Sequence, residues 1–213
     1  MSDKESRAAL HDYAIRLVKE RLAAAKEEDE PLIEAVRTVE FLDGAINTFT
    51  LHLKDLEPVM DGSADGIIDQ LEVSLEMLKK SRTVLIDFIK RETERIAPNL
   101  TGIAGHLLAA RLIFAAGGIC NLSKMPSSTI QVLGAKRSLF RHLKKGTPPP
   151  KHGIIFQHPI VNTAPRKKRG KIARILASKL AIAARIDYYS GGGRKVDLKK
   201  DLDERIERVR GRR

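Results

Sequence analysis

Apolar residues recur every three or four positions along two long segments near the start of the chain. The first segment covers 32–56, with Pro31 at a position that the first turn of a helix tolerates. The second covers 67–89, and Arg82 interrupts it at the same spacing. Because a short turn at 57–62 joins the two stripes, the sequence predicts an antiparallel helical hairpin.

The composition agrees with an all-α fold. Aromatic residues make up 4% of the 213 residues, Trp is absent, and no segment alternates polar and apolar residues as a strand does. We predict a helical hairpin domain over 1–97, a compact helical domain over 98–190, and a charged tail over 191–213. A chain without a signal-type or membrane-spanning apolar stretch is expected to be soluble and intracellular.

Further helices are predicted on both sides of the hairpin. The expected elements are, in chain order, a leading helix around Leu10, Tyr13, Leu17 and Leu22, a solvated connector at 26–30, a helix that Asn99 or Thr101 caps and that ends at 117–118, a short helix over 125–134, a further helical turn over 136–142, and a long helix over 165–187 that buries Ile172, Leu176, Leu180 and Ala183.

Charge is distributed very unevenly along the chain. Residues 1–95 hold fourteen Lys and Arg against twenty-one Asp and Glu, whereas residues 96–213 hold twenty-five against six. The acid-free segment, residues 96–186, contains sixteen Lys and Arg and neither Asp nor Glu. Because cations that neutralise a nucleic acid release its condensed counterions, this pattern indicates a polyanionic partner for the second half.

Two basic segments flank a stiff loop at 146–150, where three consecutive prolines offer no backbone donors. Because the cations of these segments lie on or beside predicted helices, they would be held in fixed positions. Fixed positions suit a shaped RNA better than a featureless duplex. Phe140 could stack on a base, although a phenylalanine at this helical position is more often a core residue. The cations are Lys136, Arg137, Arg141, Lys144, Lys145 and Lys151 on one side of the loop and within its end, and Arg166, Lys167, Lys168, Arg169, Lys171 and Arg174 on the other.

The motifs of common enzymes are absent from the sequence. Neither a phosphate-cradling glycine loop nor a dinucleotide fingerprint occurs, and the single cysteine, Cys120, cannot form an internal disulfide. The histidines have neither a nearby acid for a hydrolytic triad nor the spacing of a metal site. We therefore predict no enzymatic activity, no cofactor and no metal, and we interpret His152 and His158 as loop residues that stack or form hydrogen bonds.

Several segments of the second half resemble the Nop domain. The family comprises the archaeal core protein of box C/D small RNA particles, its nucleolar relatives and a spliceosomal relative. The resemblance extends from about Pro31 to the tail. It is carried by Asn99–Thr101, Ala116–Gly118, Met125–Ala135, Lys151–Gly153, Arg169–Arg174 and Ala183–Asp187.

The resemblance implies a non-catalytic scaffold. Its hairpin, residues 31–96, would mediate self-association or pairing with a paralogue. Its Nop domain would bind the composite surface of a kink-turn RNA and a small, ribosomal-type kink-turn-binding protein. In such particles fibrillarin performs ribose methylation with S-adenosylmethionine, so that chemistry would not belong to this chain. The expected location is the cytoplasm of an archaeal cell.

Two departures from the family pattern bear on its partners. Thirty residues precede Pro31, where archaeal members have a fibrillarin-docking domain, so recruitment of fibrillarin is doubtful. The family's Gly-Ala-Glu-Lys motif reads Gly134-Ala135-Lys136-Arg137 here, and Gln157 lies near the position at which relatives approach a flipped base. The candidate RNA-binding residues are Gly134, Ala135, Lys136, Arg137, Phe140, Arg141, Lys144, Lys145, Lys151, His152, Gln157, Arg166, Lys167, Lys168, Arg169, Lys171 and Arg174.

A DNA-binding module is the alternative interpretation. Residues 102–105, leading into 109–112, loosely resemble a helix-hairpin-helix, whose loop amides grip a DNA phosphate. The two hypotheses differ in whether a second protein is needed. A DNA clamp binds duplex alone, whereas a Nop domain needs the kink-turn protein to select its RNA.

Overall fold

The computed structural model describes Ile15 and residues 28–60, 65–190 and 196–211. These described residues contain helices and no strand, which confirms the predicted all-α class. Apart from Ile15, the predicted leading helix around 10–22 lies outside them, as do part of the hairpin turn and the glycines at 191–193. The helices are α1 (Glu30–Leu56), α2 (Asp65–Ile96), α3 (Pro98–Ala104), α4 (His106–Ala116), α5 (Ile119–Lys124), α6 (Ser127–Val132), α7 (Lys136–Lys145), α8 (Pro159–Asn162), α9 (Arg166–Tyr189) and α10 (Lys199–Gly211), with a 3-10 turn at Ile154–Gln157.

The two apolar stripes form the predicted hairpin of α1 and α2. Leu32, Val36 and Ile89 are buried near its base, where both helices pack against α4. Toward the tip the burial is less continuous, since Leu53 is buried but Ile67 is exposed. Arg82, the cation that interrupts the stripe of α2, donates a hydrogen bond to the carboxylate of Asp43 on α1. A charged residue therefore joins the two helices within an otherwise apolar seam.

Helix α9 is the centre of the second half. Helices α3, α5, α6 and α10 all pack against it. Its predicted buried face is confirmed, because Ile172, Leu176, Leu180 and Ala183 are fully buried. This core is continuous with the base of the hairpin.

One predicted helix is two helices in the structure. Gly105, with φ +76°, separates α3 from α4. The expected cap by Asn99 or Thr101 is wrong, because Pro98 begins α3 and the Asp187 carboxylate accepts hydrogen bonds from the backbone N–H groups of Asn99 (3.0 Å) and Leu100 (2.8 Å). No single helix among the described residues is long and apolar enough to cross a membrane; the α3–α4 pair meets that test only together, across a bend of 117°.

The end of the chain differs from the predicted charged tail. Residues 199–211 form α10, whose Leu202 and Ile206 are buried against the core. An ion pair joins the buried Lys179 of α9 to Asp201. The tail is highly charged, but its few apolar residues are spaced four apart, which suffices to dock one helical face. A further short helix, α5, was also not predicted.

Candidate RNA-binding surface

A projecting unit is closed at its base by hydrogen bonds between the end of α6 and the loop that follows α7. The N–H of Gly153 donates to the carbonyl oxygen of Gln131, and the N–H of Ile154 donates to that of Leu133, both at 2.8 Å. The side-chain amide of Gln131 donates to the carbonyl oxygen of Lys151 at 2.8 Å. These bonds fix where α7 and the proline loop leave the body of the protein.

Two glycines allow this close approach. A Cβ on Gly134 would lie 2.4 Å from Cγ1 of Ile154, and the φ of Gly134 is +81°. A Cβ on Gly153 would lie 1.9 Å from the carbonyl oxygen of Leu133. Side chains at either position would push the two segments apart, so Gly134 is required for the backbone geometry of the predicted motif.

Helix α7 carries both cations and apolar side chains into solvent. None of its residues is buried. Leu139 is 38% exposed, Phe140 62% and Leu143 71%. The expectation that Phe140 more often belongs to a core is therefore wrong here. Its five Lys and Arg are exposed and form no ion pair with the described residues; they are Lys136, Arg137, Arg141, Lys144 and Lys145.

The proline loop ends in a stacked arrangement on the N-terminal part of α9. The rings of His152 and Phe156 stack with centroids 4.5 Å apart and planes 14° from parallel. The guanidinium of Arg169 lies 5.1 Å from the centre of the Phe156 ring. Burial, followed by repulsion from Arg169 and Lys151, lowers the pKa of His152. The imidazole is thus neutral near pH 7, so it stacks on Phe156 without adding a positive charge beside Arg169 and Lys151.

Two of the predicted cations have internal roles. Arg169 donates hydrogen bonds to the carbonyl oxygens of Asn162 and Ala164, each at 3.1 Å, in addition to its contact with Phe156. Lys168 donates to the carbonyl oxygen of Arg210 at 2.7 Å, near the end of α10. These contacts hold the beginning of α9 against α8 and α10.

The other predicted cations of α9 face solvent. Lys167, Lys171 and Arg174 lie on one exposed side of the helix, as their spacing predicts, and Arg166 is exposed beside them. Within the described part of the chain none of the four forms a hydrogen bond or an ion pair through its side chain. A Cβ on Gly170 would lie 3.9 Å from Cδ of Lys151, so the stem of Lys151 runs close to α9 and brings the loop near these cations.

Gln157 forms a surface contact that the sequence pattern does not predict. Its Oε1 accepts a hydrogen bond from Arg111 of α4 at 2.7 Å on the protein surface. Arg111 was not among the predicted residues because its partner lies 46 positions away. Phe156 was also missed, although its position four residues after His152 offered a signal for a stacked pair.

The helix-hairpin-helix interpretation gains nothing from the geometry between α3 and α4. The N–H of Gly105, which a phosphate-gripping loop would offer, donates to the carbonyl oxygen of Thr101 at 2.8 Å. Glu94 lies 4.0 Å from His106 at the start of α4, so an acid borders this loop. An adjacent carboxylate opposes binding of a DNA phosphate.

Comparisons with known proteins agree with the fold. The sequence profile of the Nop family, described as "snoRNA binding domain, fibrillarin", matches residues 14–208. An uncharacterised NOP5 family protein of Methanocaldococcus jannaschii is 47% identical over 144 residues, which are 68% of this chain and 34% of that relative. Nucleolar protein 58 of Schizosaccharomyces pombe is 42% identical over 132 residues, 62% of this chain and 26% of that relative.

A crystal structure of a fibrillarin/Nop5p complex has a chain that is similar to this one over 98% of this chain and 80% of its own length, with a TM-score of 0.72 and 33% identity. The sequence led us to doubt that the chain recruits fibrillarin. Neither this structural similarity nor the description of the family favours that doubt. The chain spans about a third of the length of the M. jannaschii relative. The profile match covers most of the sequence, and the chain belongs to the Nop family.

Proposed function

We propose that the protein is a non-catalytic scaffold that recognises a kink-turn RNA together with a kink-turn-binding protein, as in box C/D particles that guide ribose methylation. The observation that carries this proposal is α7, which projects from the body with its cations and its apolar residues both in solvent. The family description, a snoRNA binding domain, supports RNA as one component.

The composition of α7 favours a composite partner over RNA alone. Phosphates attract the cations of the helix, but they give no favourable environment to Leu139, Phe140 and Leu143. Burying an exposed apolar side chain of this size in a protein interface contributes about 1.5–3 kcal/mol. A surface made of RNA and protein satisfies both kinds of side chain.

The hairpin supplies a second proposed interface, for self-association or pairing with a paralogue through residues 31–96. Phe41 and Leu51 on α1 and Met77 and Val84 on α2 are each more than 60% exposed. A groove on α1, lined by residues 40–52, includes Phe41. Apolar residues on the outer faces of a helical hairpin are typical of surfaces that pack against another helix.

The comparisons add fibrillarin to the proposed partners, since a similar chain occurs in a fibrillarin/Nop5p complex. The archaeal relative supports the expected location in the cytoplasm of an archaeal cell.

Charge reversal on α9 tests the RNA component. We expect Lys171→Glu with Arg174→Glu to weaken binding to the RNA–protein complex by about 100-fold or more, since two charge-assisted contacts become repulsive. The matched control is Lys80→Glu with Arg91→Glu, which changes the net charge equally on exposed positions of the hairpin. Affinity is measured by filter binding, and circular dichroism checks the helical content. Equal losses in both variants would contradict a site on α9.

The protein component is tested by Phe140→Ser with Leu143→Ser. We expect at least about tenfold weaker binding to the RNA–protein complex and unchanged weak binding to the RNA alone, because the lost contacts are apolar. Arg141→Ala on the same helix is the contrasting variant and should weaken both by roughly 1–3 kcal/mol. An identical effect of the two variants on naked RNA would overturn the composite interface.

A further inference from the structure

One exposed stripe runs along the whole of α9. It begins with the cations of the proposed kink-turn surface and continues, in steps of three and four, to the other end of the helix. Every member is exposed or half-buried. From first to last the stripe rises about 33 Å. Its residues are Lys167, Lys171, Arg174, Ser178, Ile182, Arg185 and Tyr189.

The far end of this stripe carries an exposed aromatic pair. Tyr189 is 71% exposed and Tyr188 is 40% exposed. Their rings meet edge to face, with centroids 5.0 Å apart and planes at 77°. Each ring supports the other, so the pair offers a pre-arranged aromatic surface at the end of a rigid helix.

Two cations from α5 and α9 flank the tyrosines. Arg185 donates a hydrogen bond from Nε to the carbonyl oxygen of Ser123 at 3.1 Å, which fixes its guanidinium. Ser123 immediately precedes Lys124 on α5, and α5 packs against α9, so this bond places Lys124 near the end of α9. Interaction with the Cys120 thiol raises the pKa of Lys124 and that of the Tyr188 phenol. The ammonium of Lys124 is therefore charged and the phenol of Tyr188 neutral near pH 7.

The adjacent acid does not cancel these charges. Asp187 immediately precedes the pair, but it is 2% exposed and its carboxylate accepts hydrogen bonds from Asn99 and Leu100 on the other side of α9. The side chains that face solvent at this end of the helix are thus aromatic, aliphatic and cationic.

We propose that Tyr188 and Tyr189, with Lys124 and Arg185, form a second RNA-binding surface that stacks the bases of a single-stranded segment. Aromatic rings beside cations suit single strands, because every base has a face that can stack while its phosphate contacts a cation. A duplex keeps its bases stacked on one another and cannot use the rings in this way.

This surface is separate from the proposed kink-turn interface. Tyr189 lies about 27 Å along the helix axis from Lys171. At about 3.4 Å per stacked nucleotide, roughly eight nucleotides leaving the kink-turn would reach it along the stripe. The proposal rests on the proposed function only in taking RNA as the nucleic acid.

Tyrosine fluorescence tests the stacking directly. The sequence has no Trp and three Tyr, so a Tyr13→Phe variant confines the emission to Tyr188 and Tyr189. We expect a decamer of uridylate to quench this emission saturably and a duplex of equal length to quench it much less. Equal quenching by both would show general attraction to a polyanion and overturn the proposal.

Affinity measurements then separate the ring from its hydroxyl. In the otherwise wild-type chain, Tyr189→Ala is expected to weaken decamer binding about tenfold, whereas Tyr189→Phe retains the ring and the affinity. Phe41→Ala is the matched control, because Phe41 is 73% exposed on the hairpin. A Tyr189→Ala chain that binds the decamer as well as the control would also overturn the proposal.

An extended RNA distinguishes this proposal from the proposed function. Tyr189→Ala should leave unchanged the affinity for a blunt kink-turn RNA bound to its protein. A ten-nucleotide single-stranded extension of that RNA should raise the affinity of the wild type, and Tyr189→Ala should remove this increase. Failure of blunt assembly in the wild type, with the decamer still quenching the tyrosines, would contradict the kink-turn function alone. If the extension does not raise the affinity of the wild type, RNA does not follow the stripe and the proposal is contradicted.

Discussion

Asp187 joins the two ends of the second half of the chain. Its carboxylate accepts the backbone N–H groups that begin α3 and the side-chain amide of Asn99, while Asn99 Oδ1 accepts from the N–H of Val196. Burial raises the pKa of Asp187, against the opposite effect of these hydrogen bonds. An acid in the last turn of a basic helix gives no sequence signal of this role, because its partners lie 87 and 88 positions away.

Removal of this carboxylate should destabilise the fold. Asp187→Ala leaves two buried N–H groups at the start of α3 without an acceptor, so we expect a loss of about 1–3 kcal/mol per group in the free energy of unfolding. Asp187→Asn keeps one acceptor oxygen and should lose less. Urea denaturation followed by circular dichroism measures both, and equal stability of the alanine variant and the wild type would contradict the capping role.

His152 should titrate below its ordinary pKa of 6.5. Its folded-state pKa is lowered by burial, then by Arg169 and Lys151. The stabilising contribution of the neutral ring is therefore complete above pH 6.5 and is lost as the pH falls through the folded-state pKa. NMR titration of the ring proton should give a midpoint below 6.5, and Arg169→Gln should raise it. A midpoint at or above 6.5 in the wild type would contradict the packed position of the ring.

The long helices were predictable because their apolar period is repeated many times. Helices α1, α2 and α9 agree with the stripes that predict them, and Gly117, with φ +75°, ends α4 as its sequence indicates. The errors fall on short elements and on α10, which was expected to be a tail. Gly105 divides one apolar run into two helices, and α5 has six residues, too few to display a helical period.

The exposure of α7 could be predicted only in part. Its cations are evident in the sequence, but the same spacing of Leu139, Phe140 and Leu143 is typical of a buried helical face. Only the tertiary structure shows that this face lies in solvent. The hydrogen bonds of Lys168 and Arg169 within the protein likewise depend on α10 and α8. The bond of Lys168 could not be predicted, because the segment that forms α10 was expected to be a tail.

At the scale of the whole molecule, the uneven charge follows the architecture. The acidic half of the sequence supplies the hairpin, and the acid-free segment supplies α3 to α8 and most of α9. One apolar core nevertheless runs from the base of the hairpin into the second half. This arrangement holds the proposed protein-binding hairpin and the proposed RNA-binding surface in a fixed relation, which is what a scaffold requires.

The hairpin proposal has a direct test in solution. We expect the wild-type chain to sediment at about twice its mass of 23.7 kDa, and Phe41→Lys with Met77→Lys to sediment as a single chain, because charges on the outer faces oppose apolar packing. Val59→Lys, at a 77% exposed position beside the turn, is the control and should remain associated. A wild-type chain of single mass at micromolar concentration would contradict self-association and leave pairing with a paralogue to be tested by mixing.

The proposed function is selective recognition of a composite RNA–protein surface. A gel-shift titration of a kink-turn RNA at about 0.15 M salt, with and without its kink-turn-binding protein and with duplex DNA as competitor, tests it most directly. We predict a further shift of the preformed RNA–protein complex that survives excess DNA. Equal binding to naked RNA, duplex DNA and the complex would contradict it.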